Sequence, residues 1–109
     1  MGFFDRFRRS GRRGSAEVAY LRDWVASHHG VEAYIEPKTT VTDVTACLVA
    51  SDGEWTRRSV GEVGAQRLSA QLRIPVYDVQ KVGYPQRMRD FDARRRIERK
   101  RALRRELES

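Results

Sequence analysis

Arg94, Arg95 and Arg96, then Arg99, Lys100 and Arg101, then Arg104 and Arg105 crowd the last part of the chain with cations. The chemistry open to guanidinium groups at this density is the recognition of anions. A guanidinium keeps its proton at neutral pH, and its planar fork meets a phosphate through two parallel hydrogen bonds. A second set stands at the other end, where Arg8, Arg9, Arg12 and Arg13 are mixed with Phe3, Phe4 and Phe7 in "MGFFDRFRRSGRRG". Residue types suited to bond-making are sparse. Cys47 is the only cysteine and sits in the apolar run Ala46-Cys47-Leu48-Val49-Ala50, so it reads as a buried structural thiol. His28 and His29 have no further ligands at zinc spacing, and a place at a helix C-terminus, where imidazolium is stabilised, accounts for them. Glu17, Asp43, Glu54 and Asp78 are scattered as element ends usually are, no GxGxxG follows a strand, and no P-loop is present. The expectation is a chain that is not an enzyme, with no catalytic residues, no metal and no cofactor.

The elements that must position these cations follow from charge and length. The formal charge of +7 divides into +4 over residues 1–14, −2 over residues 15–84 and +5 over residues 85–109. A slightly acidic body therefore carries a basic, aromatic arm (1–14) and a basic C-terminal segment (85–109), which points to an anionic partner met by the ends. Lys38, Lys81 and Lys100 are the only lysines, a bias that suits phosphate and equally accompanies a GC-rich genome. A chain of 109 residues has room for one core and buries only about 60 to 65% of its unfolded surface, so extensions are expected to serve partners. No apolar run approaches the ~18 residues that span a bilayer. The N-terminus has no continuous apolar segment of a secretory signal, and Arg6 stands where N-myristoylation wants Ser or Thr, so the expected location is cytoplasmic.

Within residues 15–84 the pattern predicts an α+β body. Ser15 is a candidate helix cap, Val18, Leu21, Val25 and His28 form one stripe widened by Trp24, and Gly30 ends the helix. "VEAYIEP" alternates Val31, Ala33 and Ile35 with Glu32, Tyr34 and Glu36, the pattern of a half-buried strand stopped by Pro37. "VTDVTACLVA" is a β-branched central strand, and Asp52-Gly53 in "SDGE" turns it into an antiparallel return from Trp55 to Arg58. "SVGE" predicts a capping box, Ser59 to Glu62, for a helix that buries Ala65, Leu68 and Leu72. "IPVYDVQKV" is a further strand with Pro75 at its start or on an edge, and Gly83-Tyr84-Pro85 leads into the last helix with Pro85 in its first turn. The order is α-β-β-β-α-β-α with a small mixed sheet and a long basic C-terminal helix.

Residues 85–109 hold no Gly and no Pro beyond Pro85 and are rich in helix formers. At 1.5 Å per residue such a helix reaches roughly 30 Å or more, too long to lie wholly against a small body, so it projects in part. Met88, Phe91, Ile97, Leu103 and Leu107 sustain no heptad, which argues against a coiled coil. Arg94, Arg101 and Arg105 share one line, Arg95, Arg96 and Arg99 another, so cations surround most of the girth. The same residues also suit a solvated helix that exchanges weak i,i+3 and i,i+4 pairs. On the returning strand, Trp55 and Arg57 share one face and Thr56 and Arg58 the other; a two- or three-residue hairpin loop decides which pair faces inward. Trp55 is then core, or a platform for a base with an arginine for phosphate.

From Ser15 to Val82 the order α-β-β-β-α-β resembles the core of the PD-(D/E)xK nuclease superfamily. That resemblance implies an acid on the second strand, for which Asp43 is placed, and an acid-x-Lys on the third, where Glu54-Trp55-Thr56 puts Thr56 at the lysine. The first five elements also resemble a double-stranded RNA-binding domain, "GEWTRRSVGEVGAQRLSAQL" being similar to its third strand and second helix. That family's basic cluster at the second helix start is replaced by Val60, Gly61, Glu62 and Val63. Both likenesses imply fold more than chemistry. "EPKTTVTDVTACLVASDGEWTRRSV" and "IPVYDVQKVGYPQRMRDF" are similar to stretches of small uncharacterised actinobacterial proteins, some loosely labelled oxidoreductases, a label for which this chain carries no cofactor motif.

The reading that follows is a non-enzymatic nucleic-acid-associated protein, with structured RNA such as the ribosome preferred over DNA. Arg8, Arg9, Arg12, Arg13, Arg94, Arg95, Arg96, Arg99, Lys100, Arg101, Arg104 and Arg105 would neutralise phosphates without reading bases. One alternative is a peripheral membrane adaptor in which residues 2–9 form a short helix, Phe3, Phe4 and Phe7 enter an anionic membrane surface and Arg6, Arg8 and Arg9 meet headgroups. Another is a small protein-interaction module in a larger assembly, with the ends as docking elements.

Overall fold

A computed structural model describes residues 16–109 of the chain. Ser15 as a helix cap, the arginines at 8, 9, 12 and 13 and the phenylalanines at 3, 4 and 7 lie outside the described residues. The first helix, α1, runs over residues 16–26 and buries Leu21 completely, with Trp24 and Val25 packed beside it. It is followed by β1 (Glu32–Glu36), β2 (Thr45–Val49), β3 (Trp55–Ser59), α2 (Gly61–Leu72), β4 (Val76–Asp78), a single helical turn α3 (Val79–Val82) and the long α4 (Gln86–Glu108). The fold is α+β in the predicted order. Its four strands form one mixed sheet, β3-β2-β1-β4, in which β1 to β3 are antiparallel neighbours and β4 joins β1 in parallel.

Alternation along the strands divides the core between two faces. On one face Ala33, Ala46 and Leu48 meet Leu21 of α1 and Leu68 and Leu72 of α2, with Ile35 and Val76 at the margin. On the other face Tyr34, Cys47 and Val49 are buried with Met88 of α4, and Trp55, Val79 and Tyr84 close around them. The sequence pattern of β1 predicts a strand with one dry and one wet face; the structure instead has Tyr34 only 5% exposed. The reason is non-local. The first turns of α4 fold back over what would otherwise be the solvent side.

The β2–β3 connection shows how closely they do so. The Ala50 N–H donates to the Glu54 carbonyl at 2.8 Å and the Gly53 N–H to the Ala50 carbonyl at 3.0 Å, which leaves Ser51, Asp52 and Gly53 as a three-residue loop. Gly53 takes φ +93°, and a Cβ added there would lie 2.0 Å from the Arg87 carbonyl oxygen. The loop length also fixes the register: Val49 stands opposite Trp55 and Cys47 opposite Arg57. Trp55 and Arg57 therefore face α4, while Thr56 and Arg58 face α1, where Thr56 shares a 2.8 Å hydrogen bond with the Tyr20 hydroxyl and Arg58 stacks over the Tyr20 ring.

Three local expectations are corrected. The capping box from Ser59 to Glu62 does not form, because Ser59 ends β3 opposite Thr45. Helix α2 starts after Val60 with no side-chain cap, and the N–H groups of Val60 and Gly61 instead reach the Val44 carbonyl, each at 3.0 Å. The predicted strand "IPVYDVQKV" stops at Asp78, whose carboxylate accepts the Gln80 N–H at 2.9 Å and converts the remainder into α3. Pro75 does precede the strand, and β4 is an edge. Pro85 stands one residue before α4, as its N-cap, with φ −70° and ψ 145°.

The Gly53→Ala variant tests the contact between the hairpin loop and α4. Left-handed strain plus a backbone clash should cost about 3 kcal/mol. A thermal melt should show a Tm lowered by about 10 to 20 °C, and a change of under ~3 °C would contradict the close approach.

Candidate nucleic-acid interface

The cationic helix is held by its N-terminal half. Before it begins, the Tyr84 hydroxyl donates to the Glu36 carboxylate, which also receives Thr45 Oγ1 at 2.7 Å and both arms of Arg57, Nε at 2.6 Å and Nη2 at 2.9 Å. In the first turn Arg87 donates through Nη2 to Glu32 at 2.7 Å and through Nε to the Ala50 carbonyl at 2.9 Å. Met88 drops into the core one residue later. Asp92 in the second turn accepts the Trp55 indole N–H at 2.8 Å, and Arg94 Nη2 reaches the Asp52 carbonyl at 3.0 Å. A fixed base of this kind sets the direction of everything that follows.

Past Arg95 the helix is exposed at every residue to Glu108. Arg96, Arg99, Lys100, Arg101, Arg104 and Arg105 carry no ion pair with a carboxylate among the described residues, and Arg95 has only a 3.9 Å approach to Glu98. Of the arginines predicted as binding residues, Arg94 is partly committed to the hairpin and the others on α4 are free to meet a ligand. They do not form one face: with 100° between residues, Arg101 and Arg105 project on one side and Arg95 and Arg99 on another. Ile97, Leu103 and Leu107 are exposed by 49%, 57% and 78%; Leu103 and Leu107 share a side at i,i+4 but Ile97 lies about 120° from Leu103, so no apolar stripe runs the length of this segment.

Where α4 crosses the hairpin, Glu54, Trp55, Phe91, Asp92, Arg95 and Arg99 line an open groove of about 360 Å³. Sequence reasoning singled out Trp55, Arg95 and Arg99 but missed Phe91, Asp92 and Glu54 as their companions. Phe91, Arg95 and Arg99 follow one another at i, i+4 and i+8, a signal available in the sequence once α4 is known to dock through this side.

The remaining candidates have structural roles. His28 stacks on Trp24 with ring centroids 3.7 Å apart; Nδ1 lies 2.7 Å from the Trp24 carbonyl and Nε2 3.0 Å from Glu54. Asp43 precedes β2 and binds the Val44 N–H at 2.7 Å, whereas Glu54 precedes β3, at the opposite end of the β2–β3 pair. Among the described residues no three His, Cys, Asp or Glu side chains converge on a point. Cys47 is wholly buried, and that burial pushes its thiol up to about 12. Glu36 behaves differently. Burial alone pushes its carboxyl up, yet the hydrogen bonds from Arg57, Tyr84 and Thr45 and the Arg57 charge together hold it below the ordinary glutamate value.

No protein-family model, no curated protein and no solved structure matches the chain. No helix among the described residues is long and apolar enough to cross a membrane.

Two measurements check the second sheet face. A thiol whose pKa lies far above neutrality should react with a disulfide reagent orders of magnitude more slowly in the native chain than in denaturant; fast native labelling would contradict its burial. The lowered Glu36 carboxyl contributes stability that is complete above the unfolded glutamate pKa and lost as pH falls through the folded value. Glu36→Gln should therefore be less stable at pH 7 by about 2 kcal/mol and lose less on acidification. Parallel acid-unfolding curves for the two proteins would remove Glu36 from that account.

Proposed function

We propose that this chain is a non-enzymatic nucleic-acid-associated protein whose α4 lays unpaired cations along a phosphate backbone, with structured RNA favoured over DNA. The observation that carries this reading is the contrast along α4. Arg87 is consumed by Glu32 and backbone carbonyls, whereas Arg96, Arg99, Lys100, Arg101, Arg104 and Arg105 have no ion pair with a carboxylate among the described residues. Cations distributed around an isolated helix suit a ligand that surrounds it, such as a cleft between RNA strands, better than a flat anionic surface. The interaction is positional: guanidinium groups meet phosphates and fix orientation without discriminating bases. The arginines at 8, 9, 12 and 13 would add a second point of contact from the other end of the sequence.

Titration of a structured RNA and a DNA duplex with the full chain at 50 and 200 mM salt tests the reading. Six phosphate contacts correspond to a loss of about 10³-fold in affinity across that range. Replacing Arg101 and Arg105 by Gln should reduce the slope of log K against log salt by about two. Salt-independent affinity, or no binding at the lower salt, would overturn phosphate recognition.

A further inference from the structure

The groove between the hairpin and α4 differs in kind from the free end of the helix, because it sets aromatic rings beside cations. Trp55 and Phe91 line it together with Arg95 and Arg99. The Trp55 ring is fixed by the 2.8 Å bond from its indole N–H to Asp92 and by the Arg57 guanidinium 5.0 Å from its centroid. An immobilised indole loses little entropy on stacking against a ligand. Arg95 and Arg99 stand one turn apart, about 6 Å along the helix, and among the described residues the one ion pair either makes is the 3.9 Å approach of Arg95 to Glu98. Two cations in line with two aromatic rings match the repeating chemistry of an unpaired strand, which offers a flat base and a charged phosphate at each step. Paired bases, stacked on their neighbours, present no free face to such a groove.

We propose that this groove holds an unpaired nucleotide of a single-stranded RNA segment, its base against Trp55 and Phe91 and its flanking phosphates on Arg95 and Arg99. This rests on the nucleic-acid reading above and adds strand type to it. Glu54 and Asp92 also line the groove, the Glu54 carboxylate being engaged by His28 Nε2 at 3.0 Å. With Oδ1 of Asp92 occupied by Trp55, Oδ2 can accept from a base. The exocyclic amino groups of adenine, cytosine and guanine and the N3–H of uracil are all donors of the required kind, so the groove is open to any unpaired base.

The test is fluorescence anisotropy with the full chain and labelled RNA twelve-mers of A, C or U, alongside an RNA duplex of equal length. The three single strands should each bind about tenfold more tightly than the duplex. Arg95→Gln with Arg99→Gln, both at exposed positions, should remove about tenfold from the single strands and erase their preference over the duplex. Arg101→Gln with Arg105→Gln should weaken all four ligands alike. Phe91→Leu should reproduce the loss of preference and Phe91→Tyr should restore it, with circular dichroism confirming that each variant is folded. If the duplex binds as well as the single strands and the two arginine pairs cost the same, the groove proposal falls while phosphate recognition by α4 stands. If no ligand binds the parent chain at low salt, both fall.

Discussion

Arg87 joins three parts of the molecule that the chain brings together from far apart. Its guanidinium binds Glu32 on β1 and the carbonyl of Ala50 at the end of β2, and it comes from the first turn of α4. The half-buried setting, with both side chains 29% exposed, makes the bond stronger than a surface pair and makes its partners costly to leave alone. Met88 can occupy the second sheet face only if α4 crosses at this point, and Gly53 must be glycine because the crossing brings the Arg87 backbone onto the loop. The buried face, the loop conformation and the direction of α4 are thus one arrangement seen from three places.

Charge follows the same division. The carboxylates on the α4 side of the sheet are each matched by a cation of the folded body: Glu32 by Arg87 and Glu36 by Arg57. On the other side Glu17 and Arg58 come within 3.4 Å. Pairing inside the body engages Glu17, Glu32 and Glu36, whereas Asp23, Asp43, Asp52, Glu62 and Asp78 carry no ion pair among the described residues and none of them reaches the later arginines of α4. The result is a body near neutrality beside a cationic rod. The groove forms where the two meet, which is why it combines aromatic rings, carboxylates and guanidinium groups.

Much of this was legible in the sequence. Alternation in β1, Asp52-Gly53 and the uninterrupted helix formers after Pro85 are local signals whose elements formed where the signal stands. The β-branched run from Val41, by contrast, becomes strand only at Thr45, because Thr39 and Thr42 bond each other in a turn ahead of it. What else failed was decided by partners remote in sequence. Ser59 has the residue type of a cap, but its backbone is claimed by pairing with Thr45, and tertiary pairing overrides a capping preference. Val79–Val82 has strand composition, yet Asp78 can bond the Gln80 N–H and the sheet offers no neighbour beyond β4. The site divides likewise: the cations and Trp55 were visible as residue types, while Phe91, Asp92 and Glu54 join them only through the docking of α4.

Helix α4 also has to exist before it can bind anything. Arg95 and Arg99, Arg96 and Lys100, Lys100 and Arg104, and Arg101 and Arg105 are like charges at i,i+4, each unfavourable by about 0.2 to 0.5 kcal/mol in an isolated helix. Two features oppose that repulsion. Cations concentrated toward the C-terminal end interact favourably with the helix dipole, and the docked first turns supply the nucleus, which is the costly step of helix formation, so the free segment has only to propagate. An anionic ligand lying along the rod would relieve the remaining repulsion as well as form its own contacts. Charge neutralisation and helix stability in α4 are therefore coupled: the arginines that repel one another in the unliganded helix would become stabilising contacts for it if an anion met their charge.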